Sequence, residues 1–417
     1  MLKKIILLVL VVFFLYAGMA WAQETIVFWA MPNAPDESHL SWLEKAAADF
    51  KAKTGITVNY EIVGWGDAWS KISMSLIEPI CDVSQVGTTW NPQFAATSGL
   101  EQIDINGFGG ADSFMAANLE STTYKDNYYG IPWFAETRCL FYNKDMFEEA
   151  GAVPPTTWGE LVLAGEKINS KFGTGRAFAM AGTNAWDLLH NWAILLWQSG
   201  GDLLSADHKK ATFNSGAGIT AMQWYVDLVK RGLADQACAE YNQPQADSAF
   251  INGNVAMCYM GPWNIANIES DNPTLNYGIV EPPKGPVGKG SFSGGSNLVV
   301  FANSKHKEAA KAWVNYLIEK QVLVDYTKNL THMLPAKIEA FEDPYYNTGV
   351  WKVFKETLSY ATAYPPLGVW GDIENAVVSE FKNILSTYVN GKYTEGTAKE
   401  YLDLAAAAVD RALAKEK

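Results

Sequence analysis

A chain of 417 residues, 48% hydrophobic, exceeds what one hydrophobic core holds, since single cores stop growing at about 250–300 residues. Its formal net charge of −13 argues against nucleic acid or an anionic membrane surface as partner, and supports a soluble protein. Four widely spaced cysteines without a CxxC pair, and five scattered histidines, give no zinc-type motif; buried free thiols are the preferred reading, with disulfides left open.

The first segment addresses the chain to a compartment. Met1-Leu2-Lys3-Lys4 is cationic, residues 5–17 are almost unbroken apolar, and Ala20-Trp21-Ala22 supplies the small-x-small pattern that precedes signal-peptide cleavage. The apolar run falls short of the roughly 20 residues of a membrane span. Cleavage after Ala22 is expected, giving a secreted, periplasmic chain beginning at Gln23. No cysteine stands at that point to carry a lipid anchor.

Residues 25–30 (TIVFWA) read as a buried strand. Residues 38–53 form an amphipathic helix with Leu40, Leu43, Ala47 and Phe50 on one face, stopped by Gly55. A strand over 56–63, a helix over 67–77 and a strand over 82–86 continue the rhythm, which indicates an α/β fold with a mainly parallel sheet. Gly130-Ile131-Pro132-Trp133 punctuates the chain before a strand over 137–142, and Thr157 with Glu160 has capping-box spacing at a helix start. Helices follow over 186–198 and 219–231, then a strand over 255–260. Residues 281–295, rich in Pro and Gly, read as a long connection before a strand over 298–301 and a helix from 304. From Gly371 the chain is helical to its end, with Leu402, Ala405, Val409 and Leu413 on one face. Two cores without a single linker imply lobes joined by several crossings.

Sixteen tryptophans exceed the expected needs of the core, and several stand among loop residues. Such indoles offer flat apolar surface to a ligand, and sugar rings present apolar C–H faces with polar rims.

Three segments carry a family resemblance. Tyr129-Gly130-Ile131-Pro132 leads to Leu140-Phe141-Tyr142-Asn143-Lys144-Asp145 and on to Pro154-Pro155-Thr156-Thr157-Trp158. Ala249-Phe250-Ile251-Asn252-Gly253-Asn254-Val255-Ala256-Met257 ends in Gly261-Pro262-Trp263, and Gly294-Gly295-Ser296-Asn297-Leu298 precedes Asn303-Ser304-Lys305. In this order the chain resembles the extracellular sugar-binding proteins of ABC importers, of the maltose-binding type. The resemblance implies the two-lobed periplasmic binding protein fold with a hinge of several chain crossings. By similarity, the first lobe holds residues 23–135 and 290–325, and the second holds 136–289 and 326–417. A sugar would sit in the cleft at the carboxyl ends of the strands, and the lobes would close on it. The partners implied are a sugar and the membrane permease of an importer, with the binding protein acting as a monomer and needing no catalytic residue, cofactor or metal.

A sugar site needs aromatic faces and hydrogen-bonding side chains at strand ends. Trp29, with Asn33 and Glu37 after it, stands at the end of the first strand; core packing is the competing reading for Trp29. Trp65 and Asp67 lie in the next strand–helix loop, where Asp67 has a second reading as a helix N-cap. Thr88-Thr89-Trp90 follows the third strand and matches a family segment that contacts ligand, without the acidic residue often found there. Glu136 and Arg138 stand two apart on an extended chain and so point to one side; the family places a ligand-binding carboxylate at the position of Glu136, and an interlobe ion pair is the competing reading. Trp263 follows a Gly-Pro turn where the family has a stacking aromatic. Trp370 sits in a tight loop before a helix, Gly295, Ser296 and Asn297 offer short polar groups, and Trp186 has core-like neighbours. A secreted glycoside hydrolase using Glu136 and Asp67 is one alternative. The same fold holding a polyol, polyamine or amino acid is another, and a chemoreceptor role overlaps with transport.

Overall fold

The computed structural model describes residues 24–183 and 185–416, apart from the side chains of Ala185 and Trp186. The expected signal segment, residues 1–22, lies outside the described residues.

Three parallel strands begin the chain: β1 (Thr25–Ala30) pairs with β2 (Thr57–Ile62) on one side and β3 (Val83–Gly87) on the other. The crossover helix Asp36–Thr54 carries Asp36 and Glu37 in its first turn and Lys51 and Lys53 in its last, each sign favourable to the helix dipole. Gly55, at φ 79°, ends it by donating to the Lys51 carbonyl. The buried face is His39, Leu43, Ala46, Ala47 and Phe50. Leu40, expected on that face, is rotated one residue off it and is exposed.

After a small hairpin of β4 (Thr123–Tyr124) and β5 (Asn127–Tyr128), the chain enters β6 (Ile131–Thr137), which is buried along its whole length. The punctuation read at residues 130–133 is thus the start of a strand. Pro132 is tolerated there because its partner is Asn297, at a register shift where a ladder N–H is not needed. One residue later the chain starts β7 (Cys139–Asn143), in a second sheet that also holds β8 (Phe178–Ala179), β9 (Met257–Met260) and β10 (Tyr277–Val280), in the order β10-β7-β9-β8. The return strand β11 (Ser293–Val300) inserts antiparallel between β3 and β6, and β12 (Leu334–Pro335) closes the first sheet in the order β12-β6-β11-β3-β1-β2. Both sheets are therefore mixed rather than mainly parallel, because strands returning from the other lobe enter from the opposite end. The chain passes between the sheets at 137–139, again between β10 and β11, and a third time after β12.

β11 begins inside the segment read as a long connection. Gly295 makes this possible: its φ is +134°, and a Cβ there would lie 2.1 Å from the Phe134 carbonyl oxygen. Only glycine lets β11 approach β6 this closely. Ser291 ties the two crossings together, its hydroxyl donating to the Arg138 carbonyl at 2.8 Å and meeting the Thr137 hydroxyl at 3.0 Å.

The first core gathers Phe28, Trp133, Trp313 and Tyr326, with Trp133 stacked on Tyr326 at 4.2 Å and 17°. In the second lobe Trp192 meets Phe381 at 4.5 Å; the C-terminal helix Trp370–Val389 packs on the helix Ala185–Gln198, and the last helix, Thr397–Leu413, packs on Trp370–Val389 and on the helix Gly216–Lys230. The single C-terminal helix read from the sequence is broken between these two, at a segment containing Gly391 (φ 69°). Much of the tryptophan content is core after all: Trp29, Trp133, Trp158, Trp192, Trp313, Trp351 and Trp370 are buried. All four cysteines are buried and unpaired.

Gly295→Ala is expected to loosen the β6–β11 pairing and destabilise the protein by at least ~1 kcal/mol, as a side chain forced into a positive-φ, sterically closed position does. Urea denaturation checks this, and an unchanged midpoint would contradict the account of the close approach.

Candidate binding cleft

A cleft of about 660 Å³ opens between the two sheets. Its first-lobe wall comes from the carboxyl ends of the parallel strands, where α/β folds present their loops to ligands. Pro32–Pro35 follow β1, Trp65 follows β2, and Thr88, Thr89 and Trp90 follow β3. Gln85 on β3 organises this wall: its amide donates to the Ser296 hydroxyl at 2.8 Å, and its carbonyl accepts from the Met31 N–H at 2.9 Å and the Asn33 amide at 3.1 Å. The Trp65 indole N–H donates to the Pro32 carbonyl at 3.2 Å, and its ring meets Trp90 edge-on at 5.5 Å and 74°.

The second wall is built around Arg138, the single residue between β6 and β7. Its guanidinium lies 4.5 Å over the Trp263 ring, donates to Asp187 at 3.1 Å, and stands 3.4 Å from a Glu136 oxygen. Trp263 reaches this position because Gly261 has no side chain; a Cβ there would fall 1.9 Å from the indole. Asp187 and His190 come from the helix Ala185–Gln198. Gln243 and Asp247 project from the helix Gln243–Ile251, whose start is pinned by a reciprocal capping box of Asn242 and Gln245. Asp247 accepts from the Gln243 amide at 2.6 Å and the Asn264 amide at 2.9 Å. His190 stacks on Phe292 at 3.9 Å and 11°, with its Nδ1 at 2.8 Å from the Tyr364 hydroxyl.

Burial governs the electrostatics. It pushes the Glu136 carboxyl above the usual range, against the pull of Arg138, and Asp187 adds to the rise. Arg138 loses solvation, yet Glu136, Asp187 and Asp247 together hold its proton more firmly than usual. Asp247 is pushed up to about 7 by burial, although Gln243 and Asn264 hydrogen bonds oppose the shift. Burial and then Arg138 drive His190 well below its ordinary value, so it is a neutral imidazole. Glu136 Oε2 and Arg138 Nε, 3.4 Å apart, form an ion pair without hydrogen-bond geometry, and Arg138 Nη1 has no hydrogen-bond partner among the described residues. Buried polar atoms left so cost about 1–3 kcal/mol each, more when charged, and a polar ligand would relieve that cost.

Of the residues singled out from the sequence, Trp65, Thr89, Trp90, Glu136, Arg138, Trp263, Gly295 and Ser296 line the cleft, as does Asn33. Trp29, Glu37, Asp67 and Trp370 do not. Trp29 is buried in the cluster of Met31, Val63, Ile72 and Trp90 and does not reach the cleft. Glu37 and Asp67 are exposed in the first turns of their helices, where they complement the dipole. Asp67 therefore does not face Glu136 across the cleft, as a hydrolase using that pair would need. Trp370 is buried and stacks on Tyr364 at 4.5 Å. Asn297 is buried, with its amide on the Ser121 hydroxyl at 3.0 Å. The Trp186 side chain lies outside the described residues. Sequence reasoning missed Asp187, His190, Gln243, Asp247 and Phe292. The readable signal was polar residues at helical spacing on apolar segments: Asp187, His190 and Asn191 at i, i+3 and i+4, and Gln243 with Asp247 at i and i+4. Among the described residues no group of three His, Cys, Asp or Glu is placed to hold a metal, and no helix is long and apolar enough to cross a membrane.

Asp247 has a folded pKa above that of an unfolded aspartate, so the folded state holds a proton that the unfolded state releases. Its contribution to stability is full below about pH 4 and is lost as pH rises toward about 7. Glu374, buried beside Tyr364 and also raised to about 7 by burial, contributes with the same sign. Asp247→Asn should flatten the decline in stability between pH 5 and 7, with a residual slope from Glu374, as read by urea denaturation across pH. An unchanged slope would contradict the assignment.

Known proteins resemble this arrangement closely. The pattern of the bacterial extracellular solute-binding protein family matches residues 34–323. The diacetylchitobiose binding protein DasA of Streptomyces coelicolor is 26% identical over 396 residues, covering 91% of this chain and 88% of that one. Among solved structures, an ABC transporter solute-binding protein of Thermotoga lettingae bound with α-D-tagatose superposes with a TM-score of 0.82 at 26% identity, covering 94% of this chain and all of its own. The GacH receptor of Streptomyces glaucescens, solved unliganded and with acarbose, superposes with a TM-score of 0.81 at 26% identity, covering 95% of this chain and all of its own.

Proposed function

Since the chain belongs to the family of bacterial extracellular solute-binding proteins, we propose that it captures a sugar in the cleft between its lobes and delivers it to the permease of an ABC importer. The observation that carries this reading is the buried Glu136–Arg138 pair beneath the Trp263 indole. A carboxylate and a guanidinium joined by an ion pair without hydrogen-bond geometry, and a guanidinium nitrogen (Arg138 Nη1) without a hydrogen-bond partner among the described residues, lie beside an aromatic face. A sugar supplies the matching chemistry: hydroxyls that donate to the carboxylate and accept from the guanidinium, and C–H faces that lie on indole. The names of the similar proteins, which speak of diacetylchitobiose, tagatose and acarbose, point to the same class of ligand.

On this reading Glu136, Arg138 and Trp263, with Asp187 and Asp247, form the half-site of the second lobe, and Asn33, Trp65, Thr89, Trp90, Gly295 and Ser296 that of the first. Each lobe alone satisfies part of the sugar. The closed form is favoured by the difference in ligand affinity between closed and open states. The first lobe holds residues 23–135 and 290–335 and the second 136–289 and 336–417, the third crossing falling after β12 and not at 325 as read from the sequence. The chain works as a monomer outside the cytoplasm, after cleavage behind Ala22 and without a lipid anchor. It performs no catalysis, since the energy-requiring step belongs to the importer.

A thermal-shift screen of the purified chain from Gln23 onward, against mono- and oligosaccharides, polyols, polyamines and amino acids, tests the reading. A sugar at about 100 times its Kd should add about 2.7 kcal/mol of stability. Trp263→Ala should weaken that sugar by roughly tenfold, the upper range for an aromatic contact before its buried area is counted. Stabilisation by a polyamine or amino acid alone would keep the transport role and reject the sugar.

A further inference from the structure

The aromatic wall of the cleft does not stop at the cleft. Trp65 and Trp69 stand one turn apart on the helix Trp65–Ser75, on the same face and about 6 Å apart along its axis. Trp65 and Trp90 line the cleft. Trp69 meets Trp90 edge-on at 5.3 Å and 87°, and leans on Phe94 at 4.6 Å and 33°, yet remains 40% exposed. The three indoles form one continuous surface that begins inside the cleft and ends in solvent. Gly64 and Gly66, on either side of Trp65, are exposed, and a Cβ at either would meet no atom within 4 Å.

The other flank of the short helix Asn91–Ala96 is shut. There the second-lobe segment around Tyr364–Gly371 presses on the first lobe: a Cβ at Gly368 would lie 2.8 Å from the Ala96 Cβ, and one at Gly371 would lie 2.5 Å from the Gln93 side-chain oxygen. Between Thr88, Thr89 and Pro92 on one side and Tyr364, Pro365 and Pro366 on the other, only about 10 Å³ remains. A ligand too long for the cleft can extend past Trp65 and not past Pro365.

We propose that Trp69 is an outer subsite for oligosaccharides. A chain whose first rings fill the cleft, with one end stopped by the Tyr364–Pro366 segment, lays its next ring on the Trp69 indole. The spacing of one helical turn between Trp65 and Trp69 suits the step from one sugar ring to the next. The inference rests on the reading of the cleft as a sugar site, and it selects oligosaccharides over single hexoses as the preferred ligands.

Calorimetric titration of maltose through maltopentaose and chitobiose through chitopentaose, into the wild type and the Trp69→Ala, Trp69→Phe and Trp263→Ala variants, tests it. In the wild type one added ring should raise affinity about threefold to tenfold. Trp69→Ala should abolish that step while the shorter members bind as before, and Trp69→Phe should keep most of it. Trp263→Ala should weaken every member. Unaltered binding of the shorter members also shows that the Trp69 variants are folded. Two results overturn the outer subsite and leave the sugar reading standing: no length-dependent step in the wild type, or equal affinities for every member in wild type and Trp69→Ala. The second would leave the exposed indole to a protein partner. If no saccharide binds the wild type, the reading of the cleft fails and the outer subsite with it.

Discussion

A guanidinium withdrawn from water at the one residue between β6 and β7 sets the terms for the rest of the molecule. Burying an ion costs several kcal/mol unless it is paired and hydrogen-bonded, so Arg138 demands carboxylates at the lobe junction. They come from three separate stretches of chain: Glu136 from β6, Asp187 from the helix Ala185–Gln198 and Asp247 from the helix Gln243–Ile251. The Trp263 indole adds its face. Ser291, on the returning chain, holds the Arg138 carbonyl and so binds the second crossing to the first. The charge cluster and the junction are built from the same residues, which places the polar end of the cleft where the lobes meet.

That cluster is incomplete by itself. Asp247 has two amide donors and His190 has a tyrosine hydroxyl, but Glu136 and Arg138 meet as an ion pair without hydrogen-bond geometry and Arg138 Nη1 has no hydrogen-bond partner among the described residues. The cost is carried by a fold with two large cores. The side chains of the cluster are already held in place by one another, and preorganisation of this kind lowers the entropic cost of binding. The first-lobe wall is organised on the same principle, with one buried glutamine, Gln85, orienting Asn33 and Ser296.

The cleft is also asymmetric along its length. The segment Tyr364–Gly371 belongs to the second lobe but rests on the first-lobe helix Asn91–Ala96, whose other face carries Trp90 and Phe94 toward Trp69. One short helix thereby separates a closed end from an open, aromatic one. On the proposed reading, this arrangement governs ligand length and the charge cluster governs ligand polarity.

Local chemistry was enough to mark the α/β rhythm of the first three strands, the glycine that ends the helix Asp36–Thr54, and the Gly-Pro-Trp turn that carries Trp263. The two-residue spacing of Glu136 and Arg138 likewise places both in the cleft, because an extended chain alternates its faces whatever surrounds it. The same alternation could not say what covers each face of β1, so Trp29 reads equally as wall or core, and it is core. Nor could it show that residues 131–137 and 293–295 are strands. Pro132 and Gly295 argue locally against strand, and only the pairing of β6 with β11, distant in sequence, makes a bulge position for one and a close approach for the other. Asp187 and His190 sat in a helix whose periodicity was legible and whose destination was not, while the helix Gln243–Ile251 that carries Gln243 and Asp247 was not read from the sequence. Periodicity is a property of neighbours in the chain, while the convergence of three carboxylates on Arg138 depends on how two lobes pack, which tertiary structure alone decides.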